Sequence, residues 1–454
     1  MRAWAAAGYL AAAWLAFLPG FYDGNALKWA LLYFPAVALA ARFALDPPKL
    51  LRIDAASATA LALLGWAAFS LLWSQDWRNG LIGVFNGAAC LALFWWARNR
   101  PEVLPKAAAL GIAAAAVIQQ GVGYHGGFGN PNFLAEFLLM AAPFVCLHRF
   151  GWALAGFAAA LLLFRVDALM GAALNGGLVW ASLEYRLDLL MAAILMWADA
   201  PVWGQGLGSY DLLYPLYGEG HVLSDPGLSA GAAHNDLLQL HAELGLVGAG
   251  LAGLLAWYAL RRLWGELTPL DRACLASLAI GAVLALGEFP LQNPATASLA
   301  AMSLGVLTRG VRTFPVQVPA LRLMFPAASV ALLAYGISAT VAQMTFALVD
   351  LKNQPALDAY VFTRTAYRSN PLDPMLRHHL YLTAVGARMD ADTIDRAEAV
   401  AATASPHHTR YLILKAARSA GDPVVAQAFL AELQRRPLSG PVLDPLKRHL
   451  ELHR

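Results

Sequence analysis

Long apolar runs recur along most of this chain, for example at residues 54–74 and 80–97. Each run approaches the ~20 apolar residues that a helix needs to cross ~30 Å of hydrocarbon. Only 13% of the residues are charged, which is about half of what a soluble domain carries. A soluble core cannot bury this much apolar surface, so the sequence predicts a polytopic membrane protein.

The apolar runs predict an all-α fold, a polytopic transmembrane helix bundle of about 11–12 spans. This transmembrane domain is expected to cover residues 1–345. The predicted spans lie near residues 3–20, 26–43, 54–74, 80–97, 104–122, 132–148, 151–165, 245–262, 271–288, 292–308 and 321–345.

Cations in the short loops predict which side of the membrane each loop faces. Lys49 and Arg98, with their basic neighbours, fall on one side if the N-terminus is cytoplasmic, as the positive-inside rule requires. Loops such as SQDWRNG and YHGGFGNPN carry few cations and are expected on the outer side. The net charge of +3 is too small to indicate a nucleic-acid partner.

The chain is expected to enter and leave residues 166–244 on the outer side, so this region makes no net crossing. Residues 166–183 are apolar but short, which favours a re-entrant or surface-lying element. A tight pair of crossings, with 187–198 as the return, is the alternative. The next segment predicts an amphipathic interfacial helix that begins at Arg186 and ends before Pro201.

Residues 346–454 are more polar and contain no long apolar run. Their helical spacing predicts a soluble TPR-like domain of roughly three helix pairs, each of about 34 residues. The topology places this domain on the outer side, together with a polar loop at residues 199–244. The predicted helices lie near residues 355–369, 374–388, 391–404, 407–419, 422–435 and 441–452.

His234 lies where the polar loop becomes the helix of AAHNDLLQLHAELG. An imidazole is the ordinary general base near neutral pH, so His234 is the catalytic candidate. Asn235 and Asp236 are candidates for substrate contacts, and Asp236 could orient the ring. The competing interpretation is a helix cap formed by Asn235 or Asp236, which His234 merely precedes. The compact HExxH spacing is absent, so no metal is expected.

Arg165 and Arg186 flank the short apolar element on the predicted outer side. Guanidinium groups match the geometry of pyrophosphate oxygens, which makes both arginines candidates for phosphate binding. The alternative is a surface anchor whose charged end reaches water.

Two further segments carry candidate residues for substrate binding. GQGLGSY follows no predicted strand, so it indicates a turn that brings backbone close to the active site, with Gly206 and Tyr210 as candidates, and not a dinucleotide fold. In GNPNFLAEFL, Asn130 and Asn132 lie at a helix mouth. Glu136 lies one turn inside the apolar span, where a carboxylate is costly unless it faces a cavity.

Three segments of the chain resemble the O-antigen ligase/polymerase superfamily of bacterial membrane glycosyltransferases. They are GNPNFLAEFLLMAAPF, RLDLLMAAILMWADAPVWGQGLGSY and HNDLLQLHAELGLVG. By the arrangement of spans, the resemblance extends over roughly residues 1–345. One interval is shorter than in the family, because FRVDALMGAALNGG stands where members carry an arginine site and two more spans.

The resemblance implies an inverting, metal-independent transfer that uses no cofactor. A glycan on undecaprenyl pyrophosphate would move to an acceptor hydroxyl at the periplasmic face of the bacterial inner membrane. Arg186 matches a family arginine that looks like a pyrophosphate contact, and Arg165 would stand in for the second arginine. His234 matches the histidine considered to be the base or an acceptor-side residue.

The implied partners are the lipid-linked glycan, membrane lipid, and an acceptor glycolipid, glycan or protein. The resemblance favours a ligase over its close alternatives, a polysaccharide polymerase and a protein O-oligosaccharyltransferase. A lipid-linked sugar transporter and a non-catalytic scaffold are more remote. The transporter would require ionisable residues in repeated halves, and the sequence shows no such repeat.

Overall fold

The computed structural model describes residues 2–17, 25–45, 51–121, 128, 130–147, 177–217, 232–310, 313–316, 321–348 and 355–402. The first nine α-helices are α1 Arg2–Leu15, α2 Ala26–Leu45, α3 Ala55–Phe69, α4 Trp77–Asn99, α5 Val103–Gly121, α6 Pro131–Val145, α7 Gly177–Asp199, α8 Tyr210–Tyr217 and α9 Asp236–Leu260. The next six are α10 Pro269–Leu284, α11 Pro294–Leu307, α12 Leu321–Phe346, α13 Ala356–Ser369, α14 Pro374–Gly386 and α15 Ala391–Ala402.

Four helical stretches in the described part of the chain are long and apolar enough to cross a bilayer. They are Ala55–Leu72, Trp77–Asn99, Asp236–Trp264 and Ala327–Phe346. Shorter apolar helices accompany them, among them Ala3–Leu15 and Pro294–Leu307. The helical membrane class is therefore confirmed, whereas the total of 11–12 spans stays a prediction because residues 151–165, among others, lie outside the described ranges.

A small β-ribbon is the departure from an all-α chain among the described residues. Strand β1, Leu51–Asp54, pairs antiparallel with β2, Thr313–Val316. Asp54 then begins α3 as its cap, because its carboxylate accepts from the Ser57 N–H at 2.8 Å, and it also forms an ion pair with Arg98. Sequence periodicity did not predict this ribbon, because each strand has only four residues.

The chain forms two compact units. The first contains Met1–Gly65, Val84–Gly176 and Gly250–Ala347. Its apolar core includes Trp14 and Phe137, whose ring centroids are 5.6 Å apart. The division into domains at residues 345 and 346 stays a prediction.

The second unit contains Trp66–Gly83, Gly177–Ala249 and Leu348–Arg454. It therefore brings together the loop before α4, the histidine-bearing polar segment and the described C-terminal helices. The charge pattern predicts one membrane side for all three. Which side this is stays a prediction.

Helix α7 begins earlier than the sequence predicts. It runs over Gly177–Asp199, so Arg186 lies within it and does not start it. Residues 178–185 contain no proline or glycine, and the helix therefore continues back to the glycines before them. The predicted end before Pro201 is confirmed, since the helix stops at Asp199.

The described C-terminal helices, α13, α14 and α15, lie within two residues of their predicted positions. Tyr360, Leu380 and Ala397 form part of their shared apolar core. On α14, Arg377 is 1% exposed and pairs with Asp76, which is 2% exposed, across 3.5 Å. The predicted helices beyond residue 402 lie outside the described residues, so the TPR-like domain stays a prediction.

Candidate functional site

A kink divides helix α9 at Gly245, whose φ is 63°. The kink leaves the preceding carbonyl groups without helical partners, and residues 201–210, which we call the glycine-rich segment, supply them. Gln205 N–H donates to Ala242 O at 2.8 Å, and Gly206 N–H donates to Glu243 O at 2.9 Å. The glycine-rich segment thus stabilises the first half of the broken helix.

The second half of α9 is stabilised by the same segment. Leu246 N–H donates to Pro201 O at 2.9 Å, and Val247 N–H donates to Val202 O at 3.3 Å. These bonds satisfy N–H groups that a helix start leaves unpaired. Residues 201–206 therefore replace the backbone hydrogen bonds that the kink removes.

The glycine-rich segment also packs against the turn and loop that follow α3. Leu207 N–H donates to Ser70 Oγ at 3.0 Å, and Ser74 Oγ donates to Leu207 O at 2.8 Å. Gly206 has φ +95°, and a Cβ built on it would lie 2.5 Å from Ser74 Cα. The backbone at Gly206 therefore lies close to the loop at Ser74, whereas its approach to an active site stays a prediction.

Replacing Gly206 with alanine is expected to destabilise the protein by about 1–3 kcal/mol, because the Cβ meets backbone at a positive φ. The thermal midpoint of detergent-purified protein, followed by tryptophan fluorescence, measures this effect. Gly253→Ala is the matched control, since nothing lies within 4 Å of a Cβ at Gly253 and its φ is ordinary. Equal midpoints for the two variants would contradict the packing argument.

Glu243 connects the glycine-rich segment with the start of α9. Its side chain is buried, and Oε1 accepts from Tyr210 N–H at 3.1 Å and from Gln239 Nε2 at 3.4 Å. Gln239 Oε1 in turn accepts from Ala233 N–H at 3.0 Å. Sequence reasoning missed both side chains, because helical spacing made them look like ordinary polar residues of an amphipathic helix.

His234 lies just before α9, in a left-handed backbone conformation with φ 49°. Among the described residues that are not glycine, only Arg388 shares a positive φ. Asn235 is the helix cap, since its Oδ1 accepts from Leu238 N–H at 2.9 Å. The capping interpretation is thus confirmed for Asn235, while His234 is half-buried and Asp236 is the first, buried residue of the helix.

His241 lies within α9, whereas His234 precedes this helix. The His241 ring packs edge-on against Trp197, with centroids 5.1 Å apart, and its Nδ1 lies 2.6 Å from Leu237 O. These contacts give His241 a packing role.

Helix α8 is hydrogen-bonded to the helix that carries Arg186. Tyr210 is fully buried, and its hydroxyl donates to Leu189 O at 2.9 Å. Tyr214 donates its hydroxyl to Asp188 Oδ2 at 2.9 Å. Arg186 itself is partly exposed. Tyr210 is therefore placed to hold α7 at Leu189.

The remaining candidates of the GNPN segment lie in the first unit. Asn130 caps α6 by accepting from Asn132 N–H at 2.8 Å, with Pro131 at the first helical position, as predicted. The Asn132 amide donates to Glu288 Oε1 at 3.3 Å. Glu136 is 2% exposed. Cap formation alone accounts for the conformation of Asn130.

Arg165 lies outside the described residues, so its role in phosphate binding stays a prediction. Within the described ranges, no three His, Cys, Asp or Glu side chains come together as a metal site requires.

Apolar helices of membrane-spanning length, together with a second unit that carries His234, Arg186 and the glycine-rich segment, define a helical, multi-pass membrane protein with a polar candidate site. Residues 60–253 match the family model of O-antigen ligase, which confirms the resemblance to the O-antigen ligase superfamily. The match includes all ten candidate residues, from Asn130 to Asp236. No curated protein and no solved structure matches the chain.

Proposed function

We propose that this protein transfers a glycan from an undecaprenyl-pyrophosphate donor to an acceptor hydroxyl, with inversion and without a metal. The acceptor oxygen forms a bond to the anomeric carbon while the bond from that carbon to the pyrophosphate oxygen breaks. The hydroxyl proton moves to His234, and undecaprenyl pyrophosphate leaves with the electron pair. The family match supports glycan transfer of the ligase or polymerase type in general.

The conformation of His234 is the observation that carries this proposal. A left-handed backbone costs a residue other than glycine on the order of 1 kcal/mol or more, and such strain concentrates at functional sites. A sugar hydroxyl is a weak nucleophile, and a positioned base accelerates its attack by typically 10²–10⁴-fold. His234 is half-buried within the family match, where an imidazole can meet an acceptor.

Arg186 supports the same proposal from the donor side. Pyrophosphate becomes a good leaving group when a cation neutralises its developing charge, and a guanidinium does this with fixed donors. Arg186 is partly exposed on α7. The hydroxyl of the buried Tyr210 donates a hydrogen bond to the Leu189 carbonyl of the same helix. A rigid helix therefore presents the cation.

The donor and its partners follow from this chemistry. A polyprenyl chain requires access from membrane lipid, which a multi-pass helical protein provides. We place the site and residues 346–454 on the periplasmic side of the bacterial inner membrane, where the C-terminal helices can hold an acceptor glycolipid, glycan or protein. Asn132, Glu136, Asp236 and Arg165 remain candidate substrate contacts.

Replacing Arg186 with alanine is expected to lower kcat/KM for the donor by about 10²–10³-fold, because one charge-stabilising group is lost. Transfer is measured in proteoliposomes that contain an undecaprenyl-pyrophosphate glycan and candidate acceptors. Arg186→Lys is expected to fall between, since lysine keeps the charge but not the planar fork. Arg261→Ala, at an exposed arginine of the first unit, is the control.

The products of the same assay separate the alternatives. Glycan attached to an added glycolipid supports a ligase, longer chains from the donor alone support a polymerase, and a modified protein supports an oligosaccharyltransferase. Arg186→Ala that transfers glycan at the wild-type rate would remove Arg186 from the site. Donor movement across the membrane without transfer would favour a transporter.

A further inference from the structure

The backbone is held on both sides of His234. On one side, Ala233 N–H donates to Gln239 Oε1 at 3.0 Å. On the other side, Asn235 caps α9 through Leu238 N–H. A left-handed residue persists only where its surroundings determine its conformation, and these two contacts hold the residues on either side of His234, Ala233 by its N–H and Asn235 by its side chain.

Gln239 is itself held by Glu243. The Gln239 amide donates to Glu243 Oε1 at 3.4 Å, and this donation orients the amide so that its oxygen faces Ala233 N–H. Glu243 is buried and also accepts from Tyr210 N–H at 3.1 Å. Through Gln239, the carboxylate therefore joins the glycine-rich segment, which ends at Tyr210, to the N–H of Ala233, the residue before His234.

We propose that Gln239 and Glu243 are positioning residues for His234. They hold the N–H of the preceding residue, Ala233, and so determine the direction in which the imidazole points. This inference rests on the proposed function, because it assigns to His234 the reaction whose geometry is being held. Neither side chain needs to contact the substrate, since both act through the backbone of residue 233.

The hydrogen bonds of Gln239 and Glu243 predict that the two residues tolerate different substitutions. Gln239 must offer both a donor to Glu243 and an acceptor to Ala233 N–H, so an apolar residue removes both contacts. Glu243 must only accept, so glutamine can keep its contacts with Tyr210 N–H and Gln239. Gln239→Met is therefore the disruptive variant of similar length, and Glu243→Gln is the conservative one.

Gln239→Met is expected to lower kcat by about 10- to 100-fold with little change in KM for the donor, the loss that a misplacement of about 1 Å produces. A second measurement does not depend on transfer. The rate at which diethyl pyrocarbonate modifies His234, followed by mass spectrometry, is expected to change in Gln239→Met, whereas modification of His241 stays constant and serves as the internal control. Glu243→Gln is expected to retain most activity.

A double variant distinguishes positioning from general damage to the fold. In the His234→Ala background, Gln239→Met is expected to have no further effect on residual transfer, because its action requires the imidazole. An equal further loss in that background, or unchanged kcat and unchanged His234 modification in Gln239→Met, would overturn the positioning role. Wild-type transfer by His234→Ala would instead overturn the proposed function, while the modification rates would still test the positioning contact.

Discussion

His234→Asn is expected to lower glycan transfer by about 10²–10⁴-fold, the contribution of a positioned general base. Asparagine is the sharpest replacement because it tolerates a left-handed backbone, which His234 adopts with φ 49°. The variant therefore keeps the local fold and loses the group that accepts the proton. Steady-state transfer in proteoliposomes, with donor and acceptor concentrations varied separately, measures kcat and both KM values.

The effect of His234→Asn on kcat separates a base from a binding contact. Loss of the base lowers kcat, whereas loss of an acceptor contact alone raises KM for the acceptor. His241→Ala is the matched control, because the His241 ring packs against Trp197 and contacts the Leu237 carbonyl of its own helix, α9. If His234→Asn retained wild-type kcat with an unchanged melting midpoint, the imidazole would not be the base.

Local sequence signals predicted the parts of this fold that depend on neighbouring residues. Asn130 before Pro131 and Asn235 before Asp236 are caps in the structure, since capping requires only a short polar side chain and the next turn. Helix class and membrane insertion follow from apolar length in the same way. The start of α7 was misplaced because Arg186, although charged, does not interrupt a helix.

Contacts between distant segments could not be predicted from the sequence. In the sequence, Gly245 is one small residue in an apolar run. The kink at this residue depends on hydrogen bonds with the backbone of residues 201–206. Glu243 has the helical spacing of a solvent-exposed polar residue. In the structure it is buried and accepts a hydrogen bond from Tyr210 N–H. Periodicity shows which face a residue occupies and not which segment meets that face.

The pair of Asp76 and Arg377 is another contact of this kind, and it carries the second large expected effect. Both side chains are nearly inaccessible, and Asp76 Oδ1 also accepts from Asn79 N–H at 3.2 Å at the start of α4. The pair thus holds α14 of the C-terminal helices against the loop that contacts the glycine-rich segment. Removing one member of a buried pair leaves the other charge uncompensated.

Arg377→Met is expected to destabilise the protein by about 3–5 kcal/mol, as measured for broken buried ion pairs. Asp76→Asn combined with Arg377→Met is expected to recover most of this loss, because no charge stays buried and asparagine keeps the cap. Arg396→Met is the control, since its pair with Asp392 is exposed, and it is expected to cost less than about 1 kcal/mol. Equal denaturation midpoints for the single and double variants would show that the stranded carboxylate is not the cause.

The pH dependence of stability provides an independent test of the same pair. Burial raises the pKa of Asp76 to about 6, and the attraction of Arg377 opposes that rise. A folded-state pKa above the unfolded one favours folding at low pH, so this contribution is lost as the pH rises through about 6. Melting midpoints of the wild type should therefore fall as the pH rises from about 4 to about 6. The fall should extend to higher pH in Arg377→Met, where the attraction of the guanidinium no longer opposes the rise in the pKa of Asp76, and should be smaller in the double variant, which has no carboxyl at residue 76. A fall of the wild-type size in the double variant would have to arise from another group.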